Sequence, residues 1–304
     1  MDGAGMRAFG VALSLAVAVV ASGCSARSDA EPAKPQTSTE GAPYALKDTQ
    51  VWTVPDLVSG RQYEVFVGLP PNYESQPQRR YPVLYVTDAD YAFPVLRQLT
   101  RRMNLDGPVI EDFILVGLSY SRGDSGKVSR GRDYTPTSGG KTGYGGGPAY
   151  QTYLKTQALP FIDARFRTDP KRRAFLGHSY GGLLGAQILF TEPSLFRTYI
   201  LGSPSFWFDD GRMMRMEADY ARAHRDLPAD VFMYVGGYET PGTHPRNNRE
   251  TDLVEDMRAM ERTLRSRGYP GLRVQSIALE DEDHLTVAPV GFTRALRAVL
   301  PAKP

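Results

Sequence analysis

Ser179 stands in Gly177-His178-Ser179-Tyr180-Gly181, between a short apolar run, Ala174–Leu176, and a helix-like apolar stretch that continues to Phe190. Strand, tight turn and helix in that order put a serine at the apex of the turn. Such a hydroxyl can attack a carbonyl carbon once a base takes its proton. Glycine on both sides suits a strained turn whose helix packs closely against the strand. The chain has four histidines, so each can be weighed as that base. His284 fits best: it follows the apolar run Leu272–Leu279 after the acidic stretch Glu280-Asp281-Glu282-Asp283. His178 adjoins the serine and is expected to be buried by the turn, which makes it a poor base. His224 lies in a polar helical segment, and His244, in Thr-Pro-Gly-Thr-His-Pro, is an outside candidate. A carboxylate that accepts the second imidazole proton would fix the useful tautomer. Glu239, a few residues beyond Val231–Val235, is the candidate. Asp252 is its rival but reads better as the N-terminal charge of a helix. Asp281 or Asp283 could support His284 locally, and a Ser-His pair without an acid stays open.

These groups need a scaffold that brings separate loops to one edge. Tyr63–Leu69, Tyr81–Val86, Ile114–Leu118, the run before Ser179, the stretch around Tyr199–Leu201, Val231–Val235 and Leu272–Leu279 read as strands. Several lack clean alternation, as interior strands of a parallel sheet do. Helices are expected over 91–103, 150–161, 180–190, 252–266 and 291–300. Strands alternating with helices predict an α/β fold, a mainly parallel central sheet with helices on both faces. With the serine turn, the pattern is that of the α/β-hydrolase fold. In that fold the developing oxyanion is met by the backbone N–H after the nucleophile, here Tyr180. A second N–H comes from the loop after an early strand, here Thr87-Asp88-Ala89-Asp90, with Asp90 the choice. Residues 121–147, rich in Gly, Ser, Thr and Arg, read as a long surface loop, an insertion or lid.

The first 24 residues are read separately. Arg7, an apolar run over 8–21 and Ser22-Gly23-Cys24 have the layout of an export signal. Small residues before the single cysteine, Cys24, suggest a lipoprotein signal, with lipidation at Cys24. Residues 25–43 read as a flexible tether, and 44–304 as a single α/β-hydrolase domain. The expected location is the periplasm or outer cell envelope, lipid-anchored. The net charge of +2 and the absence of a basic block argue against nucleic acid as a partner. No motif calls for a metal or organic cofactor.

Taken together, Tyr81–Asp88, Arg132-Asp133-Tyr134-Thr135-Pro136, Phe161-Ile162-Asp163, Arg172–Gly182 and Ser203-Pro204-Ser205-Phe206-Trp207 resemble the siderophore-esterase-like branch of the esterase D superfamily. The resemblance implies a serine hydrolase acting on esters, with the nucleophile at Ser179 and the histidine at His284. Glu239 matches a glutamate of more distant superfamily members, whereas siderophore esterases are described with a Ser-His pair. Trp207 and Phe208 are candidates for an aromatic wall, and core packing explains them as well. Arg130 and Arg132 could meet an anionic substrate such as an iron–catecholate complex; a solvated basic loop explains them equally. The reading placed first is a serine carboxylesterase acting through an acyl-enzyme on small or medium esters. A siderophore trilactone esterase, an acyltransferase and a non-catalytic envelope binding protein are the alternatives.

Overall fold

In the computed structural model the described residues are Gly41 and 43–302; the signal, Cys24 and nearly all of the tether fall outside them. Among the described residues eight strands form one sheet. They are β1 (Thr49–Pro55), β2 (Gln62–Gly68), β3 (Tyr81–Thr87), β4 (Ile114–Ser121), β5 (Thr168–His178), β6 (Thr198–Gly202), β7 (Asp230–Gly236) and β8 (Arg273–Leu279). Their order is β1-β2-β4-β3-β5-β6-β7-β8. β1 and β2 are antiparallel at one edge, and β3 to β8 run parallel. All parallel strands therefore end on the same side, which is where an open α/β sheet receives its ligands.

The helices are α1 (Ala89–Met103), α2 (Gly126–Asp133), α3 (Gly147–Tyr153), α4 (Leu159–Arg165), α5 (Tyr180–Thr191), α6 (Phe208–Ala223), α7 (Leu253–Ser266) and α8 (Val287–Val299). Alternation along the central strands feeds two cores. Leu84, Val86 and Leu176 point to one face and pack with Phe93 and Leu96 of α1 and Phe292 and Leu296 of α8. Val83, Tyr85 and Phe175 point to the other and pack with Leu183 and Leu184 of α5, Met213 of α6, and Met257 and Met260 of α7. β3 is buried throughout, so it reads as an unbroken apolar run rather than an alternating one. Among the described residues no helix is long and apolar enough to cross a membrane.

Three expectations change. First, 121–147 is not one loop. It contains α2, whose N-cap Ser125 accepts from the Val128 N–H. It then folds back on itself: Gly146 N–H donates to Arg132 O, and Gly147 N–H to Thr135 O, at 2.8 and 2.9 Å. Tyr134 and Thr135 are buried. The sequence of α2 has no apolar stripe, so tertiary hydrogen bonds decide what periodicity could not show. Second, the helix expected over 150–161 is interrupted by a wide π turn, Leu154–Ala158, between α3 and α4. Pro160 has no N–H for the carbonyl four residues back, and a local widening accommodates that loss. Third, β1 is an additional edge strand, half exposed, and α6 is an additional helix entered through three left-handed residues, Asp209, Asp210 and Gly211.

Close packing at the carboxyl end of the sheet depends on missing side chains. A Cβ on Gly202 would lie 2.1 Å from the Tyr234 Cζ, and one on Gly291 would lie 2.4 Å from the same ring. Tyr234 is fully buried and held from both sides, so it cannot give way. Gly202→Ala is expected to lower stability by about 1–3 kcal/mol through overpacking. The check is urea unfolding: the midpoint should fall with an unchanged slope.

Candidate active site

The turn between β5 and α5 holds Ser179 at φ 60°, ψ −119°. A non-glycine residue pays for that conformation, so the surroundings must over-determine it. They do. Ser179 N–H donates to Gly202 O at 2.8 Å, and Ser179 O accepts from Leu183 N–H at 3.0 Å. The flanking glycines are required by contact. A Cβ on Gly177 would stand 2.1 Å from Gly181 O, and one on Gly181 would stand 2.2 Å from Thr87 Oγ1. Strand, turn and helix thus nest too tightly for any other residue there.

His284 and Glu239 arrive from the ends of the next strands. Glu239 follows β7 and is completely buried. Its Oε1 accepts from Ser203 Oγ at 2.5 Å and from Gly236 N–H at 2.8 Å. Its Oε2 lies 2.5 Å from His284 Nδ1. A buried carboxylate with each oxygen engaged has one orientation, and it fixes the imidazole ring opposite. The His284 side chain remains one-third exposed, with 33% of its surface accessible. Asp252 caps α7 by accepting from Glu255 N–H. Asp283 accepts from Leu285 N–H and pairs with Arg246 at 2.6 Å. Neither of these carboxylates is hydrogen-bonded to His284. His224 stacks on Tyr220 and His244 on Tyr238.

Ser179, His178 and His284 line a cleft of about 320 Å³. One wall is apolar: Tyr91 and Ala92 from α1, Ala288 and Phe292 from α8, and Leu285 at the rim. The polar lining is Asp88, Tyr120 and Arg130. Arg130 Nε donates to Asp88 Oδ1 at 2.6 Å, and Tyr120 Oη donates to the same oxygen at 2.8 Å. Burial pushes the Asp88 carboxyl up from the usual range, while Arg130 and Tyr120 pull it back down. The Arg130 guanidinium also lies 5.8 Å from the Tyr180 ring centroid, within cation–π reach.

Arg132 stands elsewhere. It is tied to Asp124 at 2.6 Å and Asp133 at 2.8 Å, and it lines a different cavity beside Tyr63 and Tyr153. The expectation that it meets substrate in this cleft is corrected: neighbouring carboxylates claim its donors, and Arg130, two residues earlier on α2, faces the cleft. Phe208 is buried against Tyr144 and Tyr180, a core position. Trp207 is 37% exposed, with its ring 6.4 Å from that of Tyr180, beside the nucleophile turn but not lining the cleft. Asp90 occupies the first turn of α1, whose leading N–H groups have no partner within the helix. Its carboxylate accepts from Ser119 at 2.6 Å. Sequence reasoning missed Ser203, Asp88 and Tyr120. All three follow or end strands on the carboxyl side, so the rule that located His284 and Glu239 could have found them.

The family model described as putative esterase matches residues 58–274. The chain belongs to this family. The matched span includes Ser179 and Glu239 and stops short of His284. Among curated proteins, this esterase-family chain is 26% identical over 274 residues to the ferri-bacillibactin esterase BesA of Bacillus subtilis, covering 84% of this chain and 91% of that one. It is 30% identical over 156 residues to the siderophore triacetylfusarinine C esterase of Aspergillus fumigatus, covering 49% of this chain and 53% of that one. Among solved structures, the siderophore hydrolase EstB from Aspergillus nidulans superposes with a TM-score of 0.74 at 25% identity, over 87% of this chain and 99% of that one. The sequence-read superfamily and the α/β-hydrolase fold are thus borne out, and an ester-hydrolysing activity is supported.

His178 carries the clearest electrostatic signature. Burial above all, with electrostatic repulsion from His284 and Arg130 beside it, lowers its pKa from 6.5 to about 3. A histidine depressed in the native state binds its proton more readily when unfolded, so its contribution to stability is complete above pH 6.5 and drains away as pH falls toward 3. The slope is at most about 1.4 kcal/mol per pH unit. His178→Gln should therefore flatten the dependence of the urea midpoint on pH between about 6.5 and 5, where carboxylates contribute least. An unchanged slope would show that His178 titrates normally.

Proposed function

We propose that this protein is a serine hydrolase that cleaves the ester bonds of a siderophore, most simply a trilactone carrying iron-binding catecholates. Ser179 Oγ attacks the ester carbonyl while His284 Nε2 takes the proton. Glu239 keeps the other imidazole proton on Nδ1 and offsets the charge that develops on the ring. The oxyanion is received by the backbone N–H of Tyr180 and by that of Asp90, whose carboxylate is drawn away by Ser119. Collapse breaks the ester C–O bond, and His284 returns its proton to the departing alcohol. Water, deprotonated by His284, then releases the acid from the acyl-enzyme. The iron rides with the substrate and takes no part in these steps.

The observation that carries this reading is the hydrogen bond from fully buried Glu239 to His284, which lines the same cleft as Ser179. Sequence alone ranks a general carboxylesterase first. The two curated relatives above are esterases of ferri-bacillibactin and of the siderophore triacetylfusarinine C, which supports reversing that order. A cleft lined by Tyr91, Ala92 and Phe292 together with the Arg130–Asp88 pair also suits an aromatic ligand with polar edges better than a plain alkyl ester.

Three measurements test this. Ser179→Ala should abolish turnover of every ester. Glu239→Gln should lower kcat on the order of 10²- to 10⁴-fold if the acid sets the tautomer; a loss below about threefold would leave a Ser-His dyad. On substrates, kcat/KM for an iron–catecholate trilactone should exceed that for acetyl and butyryl nitrophenyl esters. The reverse order would restore the general carboxylesterase.

A further inference from the structure

His178, next to the nucleophile, has no part in the steps above, yet it is the most constrained histidine near the cleft. Strands β5, β6 and β7 set His178, Gly202 and Tyr234 side by side: His178 pairs with Gly202, and Gly202 with Tyr234. Because Gly202 has no side chain, the two rings meet across it, stacked at 17° with centroids 6.1 Å apart. The wedged Tyr234 therefore backs His178 on one side. The His284 ring, 4.8 Å away, lies on the other. In this position His178 Nε2 is 3.0 Å from the backbone O of His284. A carbonyl can only accept, so the proton is on Nε2. His178 Nδ1 is shut away from solvent without a partner, so it has neither a donor nor water to meet and no acceptor for a second proton.

We propose that His178 is a positioning residue: a neutral, Nε2-protonated imidazole that fastens the backbone of the base, His284, to the turn that carries the nucleophile. This rests on the catalytic roles proposed above for Ser179 and His284. Glu239 fixes how the His284 ring is turned, through Nδ1, but it does not fix how far its backbone stands from Ser179. The loop needs that second constraint. Its far side is held by Arg246 on Asp283 and by Tyr238 N–H on Glu282 O, while Leu285 is 84% exposed. The bond from His178 ties its near side directly to the nucleophile turn. A displacement of about 1 Å in such a pair can cost on the order of 10²-fold in rate.

The test compares His178→Leu, which removes the donor, with His178→Gln, whose amide nitrogen reaches near the imidazole Nε2. Turnover of a short-chain chromogenic ester and labelling of Ser179 by a fluorophosphonate are read at a temperature where circular dichroism shows both variants folded. His178→Leu should lose about 30- to 100-fold in kcat, with KM changed less than about threefold and labelling slowed in parallel. His178→Gln should return to within about tenfold of the parent. A folded His178→Leu with kcat within about threefold of the parent would overturn the proposal, as would a His178→Gln equally slow. Should His178→Leu not fold, nitrogen-resolved NMR of the parent protein decides. The proton is expected on Nε2 of His178 without titration from about pH 5 to about pH 9; a proton on Nδ1, or titration in that range, refutes the clamp. If the parent protein neither hydrolyses esters nor takes the label, the esterase reading falls, and the NMR result alone judges the bond between His178 and His284.

Discussion

A serine in a left-handed backbone conformation, clasped by two glycines, governs much of the rest. Ser179 can hold φ 60° only because Gly177 and Gly181 let the carboxyl end of β5 and the first turn of α5 come within contact distances that exclude a Cβ. The same closeness extends sideways. Gly202 on β6 leaves room for the Ser179 N–H to reach its carbonyl and for Tyr234 of β7 to lie across it. Each strand outward from the turn thus gives up a side chain so that the next can approach. The strain at Ser179 costs of order 1–3 kcal/mol, and it is sustained by a network that also reaches the neighbours of His284.

A gradation of burial runs along the proposed relay. Glu239 is wholly buried and hydrogen-bonded through both oxygens, His284 is one-third exposed, and the cleft beyond is open. Fixed dipoles surround the group whose charge must not move, while solvent and substrate reach the group that exchanges protons. Ser203 contributes to this without touching the cleft: its hydroxyl occupies the Glu239 oxygen that His284 does not use. In the polar lining of the cleft, Asp88 accepts from Arg130 and Tyr120, which fixes the orientation of the guanidinium.

Much of this was legible in the chain because position after a strand is a strong constraint in a parallel sheet. Ser179 and Glu239 each follow a run whose apolar composition marks it as interior, His284 follows the edge strand β8, and the structure brings the three runs out on one side of the sheet. What stayed hidden lacked a local signal. The α2 helix has no apolar stripe, and its fold depends on hydrogen bonds from Thr135 and Gly146 beyond its end. The choice between Arg130 and Arg132 turned on which carboxylates stand nearby, a matter of three-dimensional pairing. The π turn needed the knowledge that Pro160 sits within a continuous helical path. β1 is an edge strand with three of its seven residues exposed, where composition and burial part company.

The order in which the sheet is assembled sets a further limit. From β5 onward each new strand adds to the same side, β6, then β7, then β8. During synthesis the hydroxyl of Ser179 therefore leaves the ribosome about a hundred residues ahead of the imidazole of His284. A chain that stops between them has the Ser179 turn without the proposed proton acceptor. It also presents β6 or β7, almost wholly apolar and built to be covered, as a bare parallel edge. Such an edge is a template for pairing with other chains. Incomplete products of this gene should be adhesive as well as lacking the proposed base, and prone to be cleared as aggregates or by proteolysis, so that the segment from β8 onward separates the proposed hydrolase from a quality-control substrate.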